Sequence, residues 1–408
     1  MTGKETLSYR LSTLSIHADT GSTPDVAPPM HVSTNYRFAN DWNDRYAAEK
    51  GWIPKSTSSA KETALTPNGE HVYSREGTET RDRLETVLGA LEGGHAVTYT
   101  TGLAAITAAI NHVQPSRIVT SREGYHGTHG VIRIYRRGRE DKGLVFIEDG
   151  IQTFQKGDLI WLESPQNPRG EIADIADYAS RRPAVRHSRS TQHLLQRHSR
   201  RRSLQNGGQT GADIVMHSST KFLGGHSDML GGVLIVKDEQ TAEKLRDDRT
   251  YLGSVMGNFE AWLLLRSLRS LTVRVTQQSR SATEIARWLD ARDEPATQIV
   301  DKVWHGSLPK QPGHDAGKKQ GEGWSGVLSI EFKSLHHARL IGSHLRLVVN
   351  ATSLGGCESA LEWRAVVDDK ITPRLVRLSI GLEDVEDLKE DLRRGFLKVA
   401  EIAKEFEN

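Results

Sequence analysis

The sequence has a single cysteine, Cys357, among 408 residues. That excludes an internal disulfide and points to a reducing, cytoplasmic compartment. No apolar run approaches the roughly 18–20 residues that span a bilayer. The opening stretch, MTGKETLSYRLSTLSIHADTGS, lacks the continuous apolar core of a signal peptide. Aromatic residues make up only 6% and hydrophobic ones 36%, with a mean hydropathy of −0.52, as in a soluble globular chain. Neither sign of charge dominates: the net charge is +2. That balance implies no special partner; no membrane partner, nucleic-acid partner or metal site is expected. One absence is local. Tyr178 to Ala212 contains no Asp or Glu, yet it holds Arg181, Arg182, Arg186, Arg189, Arg197, Arg200, Arg201 and Arg202.

At about 150 residues per domain, the length allows two or three units with buried cores. Residues 1–72 are polar and turn-rich and read as an N-terminal arm with loops. From 73 to 257 the pattern tightens into a large domain. Leu84, Val87, Leu88 and Leu91 recur at helical spacing before Gly93-Gly94. Strands are expected at His95–Tyr99, Arg117–Thr120, Leu144–Ile147, Leu159–Leu162, Ile214–His217 and Gly232–Val236. Helices are expected at Leu103–Ile110, Ile172–Ser180 and Thr241–Arg246. Alternating strand and helix predicts an α/β fold with a mostly parallel sheet covered on both faces. Residues 258–408 read as a bridging helix, about Phe259 to Leu289, and a smaller C-terminal α/β domain. That domain has strands at Val327–Phe332 and Leu375–Ile380, a surface loop at Ser307–Ser325 and an amphipathic helix at Val385–Phe406.

The most informative run is Met216-His-Ser-Ser-Thr-Lys-Phe-Leu-Gly-Gly-His226. Ser218 and Thr220 offer uncharged donors to a phosphate, Gly224-Gly225 permits a sharp turn, and the Lys221 amine can form an imine with an aldehyde cofactor. A solvated Ser-Ser-Thr-Lys loop is the ordinary reading of the same residues. Other strand ends add to it. Thr101-Gly102-Leu103 lies between strand and helix, where N–H groups favour a phosphate, although any strand–helix turn looks similar. Tyr125 offers an aromatic face to a planar heterocycle or is plain packing. Asn167, in Glu163-Ser-Pro-Gln-Asn-Pro168, either holds a phenolic oxygen or belongs to a proline-defined turn. Arg377 on a strand can clamp a carboxylate with two hydrogen bonds, as few strand arginines do. Tyr73-Ser-Arg75 pairs an aromatic and a cation suited to phosphate, or simply faces solvent.

Taken in order, these runs resemble the Cys/Met-metabolism, or transsulfuration, family of pyridoxal 5'-phosphate (PLP) enzymes over roughly residues 12–408. Within it the chain is most similar to fungal cystathionine γ-synthase-like proteins, by Tyr251-Leu-Gly-Ser-Val-Met-Gly-Asn258 and Ser353-Leu-Gly-Gly-Cys-Glu-Ser-Ala-Leu-Glu-Trp-Arg364. The resemblance implies fold type I, the aspartate-aminotransferase-like fold. It implies that Lys221 carries PLP and that Ser218, Thr220 and the backbone of Gly102 and Leu103 hold its phosphate. It implies too that Tyr125 stacks on the ring and shares proton transfer with Lys221, and that Asn167 meets the ring hydroxyl. By the same resemblance Arg377, helped by Ser353, binds the substrate carboxylate. Tyr73 and Arg75 would reach a neighbouring subunit's phosphate, which implies a homo-oligomer built as a dimer of dimers. Relatives commonly have Asn-Pro-Thr shortly after that arginine; here Thr78-Glu79-Thr80 stands instead. The implied reaction is γ-replacement on an O-acyl-homoserine with cysteine, and its alternative is β- or γ-elimination of cystathionine.

Residues 181–210 depart from the family. Relatives have there a buried strand ending in an Asp that pairs with the pyridine nitrogen, and this chain has none. The stretch lacks the apolar run of a central strand, and unpaired guanidinium groups are costly to bury. A basic nucleic-acid or import patch, a disordered insertion, or translation in a wrong frame each account for it. The family pattern resumes at Gly211 at unchanged length, which favours the last and raises the reading of an inactive family member.

Overall fold

A computed structural model describes residues 9–19, 25–38, 47, 71–151, 153–181, 192–197 (backbone), 211–321 and 323–406. Two sheets organise it. The larger has seven strands: β1 (His95–Tyr99), β2 (Arg117–Thr120), β3 (Gly143–Phe146), β4 (Asp158–Ser164), β5 (Gln192–Arg197), β6 (Ile214–Ser218) and β7 (Gly232–Val236). Their order is β1-β7-β6-β5-β4-β2-β3. β7 alone runs antiparallel to its neighbours, so β1, β2, β4 and β6 share one direction and end on one edge.

Period-two alternation explains why these segments sit inside. Leu159 and Trp161 of β4 join the core on one face, with Ile106, Ile132, Met216 and Leu234. Ile160 and Leu162 join the other, with Leu84, Leu88, Val215 and Leu264. Each fully buried side chain of this size contributes about 1.5–3 kcal/mol. The helix Glu79–Glu92 starts at Thr78, whose side chain accepts from the Arg81 N–H, and ends at Gly93 with φ 79°.

The second sheet has order β10-β11-β12-β9-β8, from β8 (Val300–Trp304), β9 (Val327–Phe332), β10 (Val349–Asn350), β11 (Ala360–Trp363) and β12 (Leu375–Ser379). Phe332, Leu378 and Phe396 lie in its core, the last from the terminal helix Val385–Ala403.

Four expectations need correction. Residues 192–197 do form a central strand: β5 pairs β4 on one side and β6 on the other. Backbone pairing across the gap between those strands prevails over a sequence without an apolar run; residues 182–191 and 198–210 lie outside the described residues. The bridging stretch is two helices, Asn258–Leu268 and Leu271–Ala291, with Arg269-Ser270 between them. The terminal helix gives way at Lys404–Phe406 to a 3-10 turn. Finally, Ser307–Ser325 is no surface loop. It contains the helix His314–Gln320, whose residues His314, Ala316, Gly317 and Gln320 are buried. A Cβ at Gly317 would meet Trp324 and Ile172 within 2.7 Å, so glycine is what lets this short polar helix pack. No helix among the described residues is long and apolar enough to cross a membrane.

Candidate active site

A cleft of about 470 Å³ opens where β1, β2, β4 and β6 end, and the second sheet closes its far side. Gly102, Leu103, Tyr125, Asn167, Ser218, Thr220, Lys221, Ser353 and Arg377 all line it. Carboxyl ends of parallel strands are where such sheets place ligands.

The lysine turn follows β6 directly. The Gly224 N–H donates to Ser219 O at 2.8 Å and the Gly225 N–H to Lys221 O at 2.7 Å. Gly225 has φ 71°, and Arg274 packs where its side chain would be. The Arg274 guanidinium donates to Phe222 O at 2.9 Å and Leu223 O at 3.3 Å, fixing the turn from behind. Lys221 Nζ donates to Ser353 Oγ at 2.6 Å. Burial, and then the nearby Arg377 cation, lower the pKa of this amine below the usual lysine value. Such an amine is a better nucleophile near neutral pH than a solvated one.

The loop before β11 presses on this turn. A Cβ at Gly355 (φ 84°) would lie 2.7 Å from Phe222 N. Ser353 takes φ 82° without being a glycine, a conformation that stores backbone strain beside the lysine.

Arg377, on β12, is buried. It donates to Asn167 Oδ1 at 2.9 Å and to Ser353 O at 2.8 Å, and pairs with Glu362 at 2.9 Å. Burial brings its pKa down to about 10, with Arg364 adding to the effect and Glu362 opposing it. Burial also works against the Glu362 carboxylate, but Arg377 and Arg364 outweigh it and hold the pKa below the ordinary value.

The remaining predicted residues fall as follows. Gly102 and Leu103 open the helix Gly102–Val113, capped by Thr101, whose side chain accepts from Ala104 N at 3.0 Å. A Cβ at Gly102 would come 3.0 Å from Ser218 Oγ, so the helix start and the β6 end form one tight cradle. The Thr220 hydroxyl is turned to Gly231, accepting from its N–H at 3.0 Å. Asn167 gives its Oδ1 to Arg377, which leaves the donor end of its amide for a ligand. It lies between Pro165 and Pro168, both preceded by cis bonds. Tyr73 and Arg75 do not line the cleft; they are exposed, with the guanidinium 5.4 Å from the ring centroid.

Glu163, Glu362 and Arg364 also line the cleft and were not singled out in the sequence. Glu163 accepts from Tyr125 N at 2.8 Å and from Asn167 N at 3.1 Å. Burial pushes its carboxyl up to about 7, against the lowering effect of those two bonds and of Arg377 and Arg364. Its place at a strand end was the available clue. Glu362 and Arg364 sit in a stretch whose composition gives none.

The family profile of Cys/Met metabolism PLP-dependent enzymes matches residues 12–397. The chain belongs to that family. It is a PLP-dependent enzyme of sulfur amino-acid metabolism, and its cleft suits the cofactor. An N–H-rich helix start, the Ser218 hydroxyl on a tight cradle and a part-buried amine form a donor set that suits a phosphorylated aldehyde. Among curated relatives, a cystathionine gamma-synthase of Mycobacterium tuberculosis is 33% identical over 344 residues, 80% of this chain and 86% of that one. A cystathionine gamma-lyase of Rattus norvegicus is 33% identical, covering 94% and 99%. A cystathionine beta-lyase of Lactococcus lactis is 31% identical, covering 84% and 92%. The crystal structure of metB from Corynebacterium glutamicum superposes with a TM-score of 0.80 at 27% identity, covering 96% and 99%. The family member described here therefore has relatives among both synthases and lyases.

Proposed function

We propose that this enzyme condenses an O-acyl-homoserine with cysteine by γ-replacement to make cystathionine. Lys221 would carry the cofactor, with Ser218, Thr220 and the Gly102 and Leu103 N–H groups at its phosphate, Tyr125 against its ring and Asn167 at its ring hydroxyl. When bound, PLP supplies an electron sink for charge developing on the substrate. Arg377 clamps the α-carboxylate, and the loop carrying Ser353 sets its height above Lys221. The Lys221 amine, less basic than usual, takes the α-proton and redelivers it to neighbouring carbons, with Tyr125 as a second proton carrier. The site would be completed by Tyr73 and Arg75 from a neighbouring copy, in a homo-oligomer arranged as a dimer of dimers. The division into an arm over 1–72, a large domain over 73–257 and a small one over 258–408 is supported by the two separate sheets.

The observation that carries this reading is the placement of Ser353. Its Oγ accepts from the lysine and its carbonyl from Arg377, so amine and carboxylate anchor meet across one residue. A second space of about 740 Å³ lies beside the cleft, with room for the second amino-acid moiety of the condensation. The two share Thr220, Leu230, Thr352, Ser353 and Leu354. Cystathionine formed from O-acyl-homoserine plus cysteine supports the proposal; keto acid released from cystathionine, without condensation, refutes it.

The lack of any Asp or Glu in Tyr178–Ala212 favours a second reading, in which the chain as written turns over feebly. An Asp-containing apolar strand in another frame of the transcript across codons 180–212 supports that reading, and vigorous turnover of the purified chain rejects it.

A further inference from the structure

We propose that Glu163 is a positioning residue that ties the Tyr125 loop and the Asn167 loop into one unit. Glu163 sits at the end of β4, and each of its carboxylate oxygens accepts from one loop: Oε2 from Tyr125 N at 2.8 Å, Oε1 from Asn167 N at 3.1 Å. The Asn167 side chain in turn accepts from Arg377 at 2.9 Å. One carboxylate thus stands between the aromatic ring and the carboxylate anchor. The neighbouring backbone is shaped to admit it. Gly124 has φ 129°, and a Cβ there would lie 2.9 Å from Glu163 Oε2. A side chain offering two acceptors is required, because both partners are N–H donors. A glutamine has one acceptor and would turn its amide N–H against the other loop.

This inference rests on the functional reading above, and its test separates the two. The holoenzyme and its Glu163→Gln variant are compared in the wild-type and Tyr125→Ala backgrounds. Where the ring is present, the glutamine lowers kcat by about 10- to 100-fold through misplacement. Where the ring is gone, the further loss is at most about threefold, because the two residues act as one unit. Should the glutamine variant fail to fold, Glu163→Asp, which keeps both acceptors but is one methylene shorter, replaces it in the same cycle. Hydrogen exchange of the wild-type protein adds an arm that needs no turnover. The Tyr125 and Asn167 amides should show matching protection, and both should exchange faster in either variant. Equal factors in the two backgrounds, or amides that open independently, would overturn the role of Glu163. A wild-type protein without PLP-dependent turnover, its amides still matched, strikes the functional reading alone.

Discussion

Replacing Arg377 with alanine tests the substrate anchor. Its Nη1 donates to Asn167 and its Nη2 to Ser353, beside Glu362, and these contacts fix the guanidinium whose fork would take a carboxylate in a bidentate pair. Two hydrogen bonds to a charged group, at about 1.5–3 kcal/mol each, set a loss of about 3–6 kcal/mol. At about 1.4 kcal/mol per tenfold, kcat/KM for the amino-acid substrate falls by roughly 10²–10⁴. Arg377→Lys keeps the charge without the fork and restores only part of this. The assay is steady-state kinetics with the amino acid varied, beside a titration of the apoenzyme with PLP. Affinity for PLP should hold, since the phosphate cradle lies on other residues. A kcat/KM within threefold of wild type in the alanine variant would refute the assignment.

Three further outcomes follow from the same geometry. Gly225→Ala puts a Cβ 1.9 Å from Arg274 Nη1 at φ 71°, so it should destabilise the chain by at least about 2 kcal/mol and weaken cofactor binding, as read by melting and visible absorbance. His305 is fully buried between Ser307 Oγ at 2.7 Å and Ser325 O at 2.9 Å, and burial brings its pKa down to about 4. The unfolded chain takes up that proton near 6.5 and the fold does not. Stability is therefore full above 6.5 and falls by about 3 kcal/mol as pH drops toward 4, a loss that acid melting should show smaller in His305→Gln. Glu163 has the opposite slope to an ordinary paired carboxylate. Its raised pKa penalises the fold as pH rises from the usual glutamate value through about 7, so wild-type stability should fall across that window while Glu163→Gln, which loses one acceptor but does not titrate there, shows a flatter slope.

Much of this was legible because burial writes itself into the large sheet. β2 and β7 coincide with the strands read at Arg117–Thr120 and Gly232–Val236, since apolar side chains on both faces leave no other reading. The lysine turn was legible from Gly224-Gly225 and the hydroxyls before it. What escaped was whatever depends on partners distant in sequence. β8, with Asp301 and Lys302, carries too little apolar pattern, and β5 is held by strand pairing rather than by composition. Glu163 offered only its place at a strand end, because its role exists only once the Tyr125 and Asn167 backbones converge on it. Glu362 pairs with Arg377 on the neighbouring strand and with Arg364 just past its own, and the sequence does not declare that register.

The central claim is that Lys221 is the residue joined to the cofactor. Reducing the PLP-loaded protein with borohydride and mapping its peptides tests this directly. One pyridoxyl-labelled peptide is expected, bearing the label at Lys221, and no label in Lys221→Ala. Label on a different lysine, or an unlabelled wild-type protein, would contradict it.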